Sequence, residues 1–275
     1  MPWFHETYHD ISAIGIHTAE RLHAEQSPYQ TIEVHGTKGH GRLLLLDGMV
    51  MLTELDEFVY HELIAHVPLC IHPDPKRVLV VGGGDGGTVR EVLKHRGVER
   101  VVLCEIDERV TRVCQQWIPA VAGALNDPRV ELVFADAVQY VRDHAGSFDA
   151  ILVDSSEPIG PAAGLFAGSF FADLRRALRP GGVIAAQTES PFYAADTVRD
   201  VFREIRTAFP RVHAFYGCIP TYPSGCWTFA FASDGRGPED LDPVRAAAVT
   251  GRYFNPDLAR GAFLLPEFIR RLVDG

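Results

Sequence analysis

Residues 77–92 read RVLVVGGGDGGTVREV and are the part of the sequence most indicative of the fold. An apolar run over Arg77–Val81 leads into a G-x-G-x-x-G arrangement over Gly82–Gly87, after which the pattern predicts a helix from about Thr88 to His95. A strand that passes through a glycine loop into a helix is typical of the first nucleotide-binding turn of α/β proteins. On its own the motif fits NAD-dependent enzymes and nucleoside-binding transferases alike.

The sequence after this turn alternates short apolar runs with helical segments. Such alternation predicts a parallel sheet with helices on both faces. Two later apolar runs, over residues 211–217 and 227–232, suggest an additional hairpin at the edge of this sheet. The predicted strands that follow the glycine loop are Arg100–Cys104, Val130–Phe134, Asp149–Val153 and Gly182–Gln187.

The sequence before the turn has a different pattern. Residues 1–53 have the alternation and turn signals of short strands, with an Asp47-Gly48 hairpin signal between two of them. A helix is predicted over Glu54–Cys70. We therefore expect two domains, an antiparallel β domain over residues 1–53 and an α/β domain over residues 54–275. The clearest predicted strands of the first domain are Thr31–His35, Arg42–Leu46 and Met49–Thr53.

Composition and charge limit the class of partner. The chain has 275 residues, of which 47% are hydrophobic, as in ordinary globular proteins. Its 26 Lys and Arg residues and 36 Asp and Glu residues give a formal net charge of −10, which disfavours a nucleic acid partner and suits a cationic substrate. The sequence has neither an apolar run of membrane-spanning length nor a signal peptide, so we expect no membrane partner and a cytoplasmic location.

The cysteines and histidines do not form a metal-binding pattern. The five cysteines are widely spaced without a C-x-x-C pair, so buried free thiols are expected rather than a zinc site or a disulfide framework. His61 and His66 stand at i and i+5, about 140° apart around a helix, whereas a zinc-binding helix presents histidines at i and i+4. No metal is therefore expected.

Acidic residues follow the predicted strands at equivalent places. Asp85, Glu105, Asp136 and Asp154 each lie at or just after the end of a strand. Because ligands of open α/β sheets bind beyond the carboxyl ends of the strands, these carboxylates are expected to converge on one crevice. A single such residue would usually be a solvated loop side chain, whereas four at equivalent places indicate a site.

Asp85 narrows the class of ligand because it stands inside the glycine loop. The pyrophosphate of a dinucleotide favours a bare helix N-terminus, and a carboxylate at that place repels an anion by several kcal/mol where solvation is poor. The same repulsion disfavours the carboxylate tail of S-adenosylmethionine. The expected ligand is an adenosyl compound whose tail carries only a positive charge, and hydride transfer ranks low.

Residues 154–161, which read DSSEPIGP, form a second acidic cluster. Asp154 and Glu157 stand three residues apart in a loop stiffened by proline and glycine, a spacing suited to the two cations of a short diamine. Asp154 alternatively caps the turn that follows it. Gln187 and Tyr222 would complete such a pocket, although each of these residues is more often structural.

At these residues the chain resembles the spermidine synthases, also called polyamine aminopropyltransferases. The resemblance runs nearly from end to end, and Asp-Glu-Phe-x-Tyr at residues 56–60 together with the Asp-bearing glycine loop is highly specific. It implies a Rossmann-like, class I methyltransferase-like, mostly parallel sheet joined to a small N-terminal antiparallel β domain, with the active site between them. The matching stretches are Trp3–Glu6, Tyr29-Gln30, Leu46–Gly48, Asp56–Glu62, Gly82–Gly87, Arg90-Glu91, Glu105–Asp107, Asp154–Pro161, Ile219–Gly225 and Tyr253–Pro256.

The resemblance also implies a role for each matching side chain. Tyr60 and Asp154 would be the catalytic residues that orient and deprotonate the attacking amine, and Asp85 with Asp154 would hold the ammonium of the donor. The implied donor-binding residues are Gln30, Asp85, Glu105, Ile106, Asp136, Pro161 and Leu165. The implied acceptor-binding residues are Trp3, His61, Glu157, Gln187 and Tyr222.

The implied activity is transfer of an aminopropyl group from decarboxylated S-adenosylmethionine to putrescine, giving spermidine and methylthioadenosine. The donor is a co-substrate, and no cofactor is expected. Glu157, Met51 and Ala163-Gly164 depart from the commoner family residues, which leaves diaminopropane, cadaverine and agmatine open as acceptors. An S-adenosylmethionine-dependent methyltransferase and a polyamine- or nucleoside-binding protein without catalysis are the competing hypotheses. The family suggests a homodimer or homotetramer.

Overall fold

Two β-sheets and ten α-helices make up the part of the chain that the computed structural model describes, namely residues 2–8, 10–156, 164–249 and 251–274. The strands are β1 (Trp3–Tyr8), β2 (Ser12–Gln26), β3 (Thr31–Thr37), β4 (Arg42–Leu46), β5 (Met49–Thr53), β6 (Arg77–Gly82), β7 (Arg100–Glu105), β8 (Val130–Phe134), β9 (Phe148–Asp154), β10 (Leu178–Glu189), β11 (Arg211–Cys218) and β12 (Cys226–Ser233). The helices are α1 (Glu57–Ile71), α2 (Gly87–Leu93), α3 (Glu108–Trp117), α4 (Pro119–Ala122), α5 (Ala137–Arg142), α6 (Gly168–Ala177), α7 (Ala195–Ala208), α8 (Pro243–Ala248), α9 (Pro256–Gly261) and α10 (Glu267–Asp274).

The N-terminal sheet is antiparallel, with strand order β1-β2-β3-β4-β5. Asp47 and Gly48 join β4 to β5, and their positive φ angles of 49° and 78° are those of the two-residue turn that the sequence predicts. Strand β2 runs for 15 residues and is longer than the short strands expected in this region. Its pairing with β3 shifts register twice, and these irregularities interrupt the apolar alternation by which a long strand is recognised.

The second sheet has seven strands in the order β11-β12-β10-β9-β6-β7-β8. Strands β10, β9, β6, β7 and β8 are parallel, whereas β12 and β11 form the antiparallel hairpin at one edge. Alternate residues of β6 face two separate cores: Val78 and Val80 pack with α1, and Leu79 and Val81 pack with α6 and α7. The predicted α/β sheet with helices on both faces is therefore confirmed.

Helix α1 connects the two sheets and is buried along nearly its whole length. Ile32 and Leu44 of the N-terminal sheet belong to the same hydrophobic core as α1, so the small sheet does not depend on a core of its own. The helix begins at Glu57 rather than at the predicted Glu54. The reason is that the Asp56 carboxylate accepts hydrogen bonds from Thr53 Oγ1 at 2.6 Å and from the Thr221 backbone nitrogen at 2.8 Å, which holds residues 54–56 in a turn.

Within the described residues, every helix is too short or too polar to serve as a membrane span.

Candidate active site

A cavity of about 300 Å³ lies between the carboxyl ends of the parallel strands and the N-terminal sheet. The four strand-end carboxylates come together there, and Leu44, Leu46 and Met51 of the N-terminal sheet contribute to the opposite wall. The predicted site residues that line the cavity are Gln30, Tyr60, His61, Asp85, Glu105, Ile106, Asp136, Asp154, Leu165, Gln187 and Tyr222. Pro161 and Glu157 lie outside the described residues.

Trp3 is the predicted site residue that the structure does not bring to the cavity. Its side chain is 58% exposed on β1, where it lies edge-on to the His17 ring with 5.2 Å between the ring centroids. The antiparallel pairing of β1 with β2 places Trp3 opposite His17, and Trp3 is not among the residues that line the cavity. The assignment of Trp3 to the acceptor site therefore has no support within a single chain.

The glycine loop lets the end of β6 approach the end of β9 closely. Gly82 and Gly83 have φ angles of 75° and 65° in the left-handed region. A Cβ atom on Gly82 would lie 2.3 Å from the Asp154 carbonyl oxygen, and one on Gly83 would lie 2.6 Å from Asp154 Oδ2. Only glycine tolerates both the positive φ and the close contact with Asp154. The glycines of this motif therefore allow Asp85 and Asp154 to lie in one site.

Asp85, Asp154 and His61 form a cluster that suits a cation. One ligand atom from each of the three lies within 4.8 Å of the others. Thr88 Oγ1 donates a hydrogen bond of 2.6 Å to Asp154 Oδ2, and the Gly87 backbone nitrogen donates one of 2.7 Å to Asp85 Oδ1. Such a set of donor atoms fits a metal ion or an organic cation, and the absence of a metal stays a prediction.

The protonation states within the cluster differ from those of free side chains. Burial raises the pKa of Asp154 above its usual value, and the neighbouring Asp85 carboxylate raises it further. Burial and the neighbouring Asp154 raise the pKa of Tyr60 well above 10, so Tyr60 is a neutral phenol that hydrogen-bonds to Asp154. Asp154 is thus the better proton acceptor, and Tyr60 is a donor that fixes its orientation.

His61 is held between two carboxylates. Its Nδ1 lies 2.6 Å from Glu57 Oε2, and its Nε2 lies 3.4 Å from Asp85 Oδ1. Burial alone would lower the pKa of the imidazole, but Asp85 and Glu57 together raise it to about 9. Arg90 in turn donates two hydrogen bonds, of 3.0 and 2.8 Å, to Glu57. His61 is therefore an imidazolium at neutral pH and the counter-ion of Asp85.

The other end of the cavity has the features of a nucleoside pocket. Burial raises the pKa of Glu105 to about 7, against hydrogen bonds from the backbone that include one of 2.9 Å from the Asp107 nitrogen. Asp136 caps α5 by accepting a 2.8 Å bond from the Val138 nitrogen, and its side chain stays exposed. Ile106 supplies an apolar surface between them, on which a planar base can pack.

Gln187 and Tyr222 lie in the cavity wall with their polar atoms already bonded to the backbone. The Gln187 amide donates to the Ser155 carbonyl at 3.2 Å, and its oxygen accepts from the Glu189 nitrogen at 3.0 Å. The Tyr222 hydroxyl donates a 2.7 Å bond to the Met51 carbonyl of β5. These bonds hold the loop after β9 and the N-terminal sheet in place, which is the structural role that the sequence left open for both residues.

Gln30 likewise has a partner outside the predicted set. Its amide donates a 3.1 Å bond to Asp107 Oδ2, to which the Ser27 hydroxyl also donates at 2.6 Å. Gln30 lines the cavity as predicted, and Asp107 fixes its position there.

Glu189 is a cavity residue that was not predicted from the sequence. It is 3% exposed, lies beyond Gln187 at a register shift between β10 and β12, and has a φ of 84°. The rule that acidic residues at strand ends converge on the crevice applies to β10 as well. Extending that rule two residues beyond Gln187 would have found it. Tyr8 and Tyr29 also line the cavity. Tyr29 belongs to a stretch that carries the family resemblance but was given no role there, and no pattern in the sequence marks Tyr8.

The fold is that of an α/β protein of the methyltransferase-like class, with a cavity at the carboxyl ends of its parallel strands. Residues 57–239 match the family described as spermine/spermidine synthase domain, and residues 2–54 match the spermidine synthase tetramerisation domain. The chain belongs to the spermine/spermidine synthase family. These matches confirm three predictions made from the sequence: the family, the fold and an enzyme of the aminopropyltransferase type.

Relatives and solved structures are similar over the whole chain. The polyamine aminopropyltransferase of Thermoanaerobacter sp. (strain X514) is 44% identical over 272 residues, covering 99% of this chain and 98% of the relative. That of Desulforudis audaxviator is 43% identical, with 97% of each chain covered. A spermidine synthase in complex with the transition state analogue AdoDATO has a TM-score of 0.97 at 37% identity, covering 99% of this chain and 95% of the other. The spermidine synthase of Thermotoga maritima has a TM-score of 0.94, also at 37% identity, covering 99% of this chain and 94% of the other.

Proposed function

We propose that this enzyme transfers the aminopropyl group of decarboxylated S-adenosylmethionine to putrescine, giving spermidine and methylthioadenosine. The observation that carries the proposal is the pair of carboxylates, Asp85 and Asp154, at one end of a cavity whose other end is a nucleoside pocket. A donor with an adenosine at one end and only an ammonium at the other matches both ends. The names of the similar proteins point to the same reaction type.

In this proposal the donor lies across the carboxyl ends of β6, β7 and β9. Glu105 accepts hydrogen bonds from the ribose hydroxyls, and Asp136 accepts one from the adenine amino group. Ile106 and Leu165 pack on the base. The ammonium of the aminopropyl tail binds between Asp85 and Asp154, where the His61 imidazolium balances the charge in the free enzyme.

The acceptor binds with one amine beside Asp154 and Tyr60. An alkyl amine has a pKa near 10, so only about one molecule in a thousand is neutral at pH 7. Asp154 takes the proton from this amine, and Tyr60 orients it. The nitrogen then forms a bond to the carbon beside the sulfonium, the carbon–sulfur bond breaks, and its electron pair stays on sulfur as the neutral thioether. One proton per turnover leaves the site, and no oxidant or reductant is needed.

The second amine of the diamine lies toward Gln187, Tyr222 and Glu189. The Glu189 carboxylate supplies the negative charge on this side of the cavity, in addition to the predicted Glu157. The distance between the two ends of the acceptor site determines which of putrescine, diaminopropane and cadaverine fits. Agmatine differs also in its second cation, which is a guanidinium.

One experiment separates the proposed function from the methyltransferase and binding-protein hypotheses. Both adenosyl donors, with and without the carboxylate, are offered with each of the four amines, and products are identified by mass spectrometry. Spermidine and methylthioadenosine formed from the decarboxylated donor and putrescine support the proposal. Methylated product from intact S-adenosylmethionine identifies a methyltransferase, and binding without any product identifies a binding protein.

We further propose that the protein is a cytoplasmic homo-oligomer without nucleic acid or membrane partners. The match of residues 2–54 to a tetramerisation domain supports the oligomer. Light scattering coupled to gel filtration tests it, since a monomer at micromolar concentration contradicts the proposal.

A further inference from the structure

Two cysteines lie directly opposite each other at the end of the β11–β12 hairpin. Cys218 and Cys226 are paired positions in the ladder. The Ile219 nitrogen donates a 3.0 Å bond to the Gly225 carbonyl, so the cysteine pair is flanked by backbone hydrogen bonds rather than joined by them. The Tyr216 nitrogen, two residues earlier, points away from β12 and donates to the Ala262 carbonyl, as this alternation requires.

The pairing determines the distance between the two thiols. At a non-hydrogen-bonded position of an antiparallel pair the Cα atoms are about 4.5 Å apart, and both side chains project from the same face of the sheet. Disulfides join residues whose Cα atoms are about 4.4–6.8 Å apart, most often about 5.5–6 Å. The Cys218–Cys226 position therefore falls within the range for a disulfide, at its short end.

The two thiols are also the accessible ones. Cys218 is exposed and Cys226 is half-buried, whereas Cys70, Cys104 and Cys114 are buried. The expectation of buried free thiols is right for these three. It is wrong for the pair, because the pair lies at the loop end of a hairpin at the sheet edge. An oxidant can reach Cys218 without unfolding the chain.

The loop between these cysteines forms part of the active-site wall. Tyr222 and Pro223 line the cavity. The Thr221 hydroxyl and nitrogen both donate to Asp56, and the hydroxyls of Ser224 and Ser190 are 2.7 Å apart. Together with the bond from Tyr222 to Met51, these contacts tie the loop to the turn before α1, to β5 and to the segment after β10.

We propose that Cys218 and Cys226 form a reversible disulfide that closes the neck of the loop carrying Tyr222. The oxidant is a small-molecule disulfide, RSSR. The Cys218 thiolate attacks one sulfur of RSSR and releases one RS⁻, and the Cys226 thiolate then attacks the Cys218 sulfur and releases the second. The two protons of the cysteine thiols end on the two released RSH molecules. A dithiol reductant reverses both steps.

Closing this bond changes the acceptor side of the cavity. The short Cα separation of the pair has to widen by about 1–1.5 Å to reach the usual disulfide distance. The widening occurs four residues from Tyr222, whose hydroxyl bond to Met51 joins the loop to the N-terminal sheet. Glu105 and Asp136 lie on β7 and beyond β8, on the far side of the sheet order, and do not move. This consequence rests on the proposed function, whereas the disulfide itself does not.

The test uses the whole enzyme and oxidised glutathione, followed by intact-mass analysis and peptide mapping without reduction. The expected result is the loss of two hydrogen masses, one cross-link joining the peptides of Cys218 and Cys226, and full reversal by dithiothreitol. The Cys218→Ser/Cys226→Ser double variant should show no mass change. An unchanged mass, a glutathione adduct that persists on Cys218, or a cross-link to another cysteine overturns the proposal.

The same samples test the coupling to the cavity. Oxidation should lower kcat/KM for the diamine by several-fold up to about 100-fold, while methylthioadenosine binds with unchanged affinity and the double variant is insensitive to oxidation. Unchanged kinetics in the cross-linked enzyme refute the coupling. The intact mass of the enzyme and its affinity for methylthioadenosine are both measured without an acceptor. A wrong assignment of the diamine therefore cannot be confused with a failure of Cys218 and Cys226 to form a disulfide.

Discussion

The charge of His61 depends on Glu57, and Glu57→Gln tests this dependence with little change in shape. The substitution removes the negative charge 2.6 Å from His61 Nδ1 but keeps a side chain of the same length with an oxygen that can accept a hydrogen bond. Asp85 remains 3.4 Å from Nε2. The variant therefore isolates the contribution of the Glu57 charge to the raised pKa of His61.

The size of the effect follows from the position of His61. Burial lowers the pKa of this imidazole, and Asp85 and Glu57 overcome that effect and raise it from 6.5 to about 9. This rise corresponds to about 3 kcal/mol in favour of the imidazolium. With Glu57 neutral, only Asp85 and the weaker effect of Asp154 oppose burial, so we expect the pKa of His61 to fall by at least about one unit, or about 1.4 kcal/mol.

The change also alters how stability depends on pH. A group whose pKa is raised on folding stabilises the folded state below its unfolded pKa, and that contribution is lost as the pH rises through its folded pKa. The contribution of His61 to the free energy of unfolding of the wild type should therefore decline between pH 6.5 and about 9. In Glu57→Gln this decline should be smaller and should end at a lower pH.

NMR titration of ¹³C-labelled histidine Cε1–H signals measures the midpoint directly. The matched control is Glu33→Gln, because Glu33 Oε2 lies 2.9 Å from His35 Nε2 in the N-terminal sheet, away from the cavity. The control should leave the His61 midpoint unchanged. A wild-type midpoint at or below 6.5, or the same midpoint in Glu57→Gln, would refute the electrostatic account of this cluster.

The other predictions concern catalysis and binding. Asp154→Asn should lower turnover about 10²–10⁴-fold, because the amine loses its proton acceptor, with methylthioadenosine binding nearly intact by calorimetry; wild-type turnover contradicts this. Donor affinity should fall as the pH drops through about 7, because Glu105 is then protonated and accepts hydrogen bonds from the ribose hydroxyls less well. A donor affinity independent of pH would contradict this role of Glu105. Dialysis against a chelator should leave turnover unchanged, and loss of activity that a divalent metal restores would assign the His61–Asp85–Asp154 cluster to a metal.

The parallel part of the fold could be predicted because its pattern is local. Each buried strand is a short apolar run, and each run ends in a residue that the sheet brings to the same edge. Asp85, Glu105, Asp136 and Asp154 were therefore predicted to meet without knowledge of the strand order. The β11–β12 hairpin was predicted to lie at an edge of the sheet. Its position next to β10 depends on packing between distant residues, which no local sequence pattern indicates.

The finer features of the site depend on contacts between distant residues. Tyr222 bonds to a carbonyl 171 positions away, and no sequence pattern identifies a backbone partner. Glu189 reaches the cavity through a register shift, which changes the side of the strand from which a residue points. The contact between Glu57 and His61 is different, because residues four apart share a helix face, and the sequence could have predicted it.

The carboxylate of Asp85 should select a nucleoside whose tail is a cation without an acid, and calorimetry with the two adenosyl donors measures this selection. Two like charges about 4 Å apart repel by about 4 kcal/mol near a protein surface, or nearly three orders of magnitude in Kd. We predict that the wild type binds decarboxylated S-adenosylmethionine far more tightly than S-adenosylmethionine, and that Asp85→Asn narrows the difference. Equal affinities in the wild type would contradict the account.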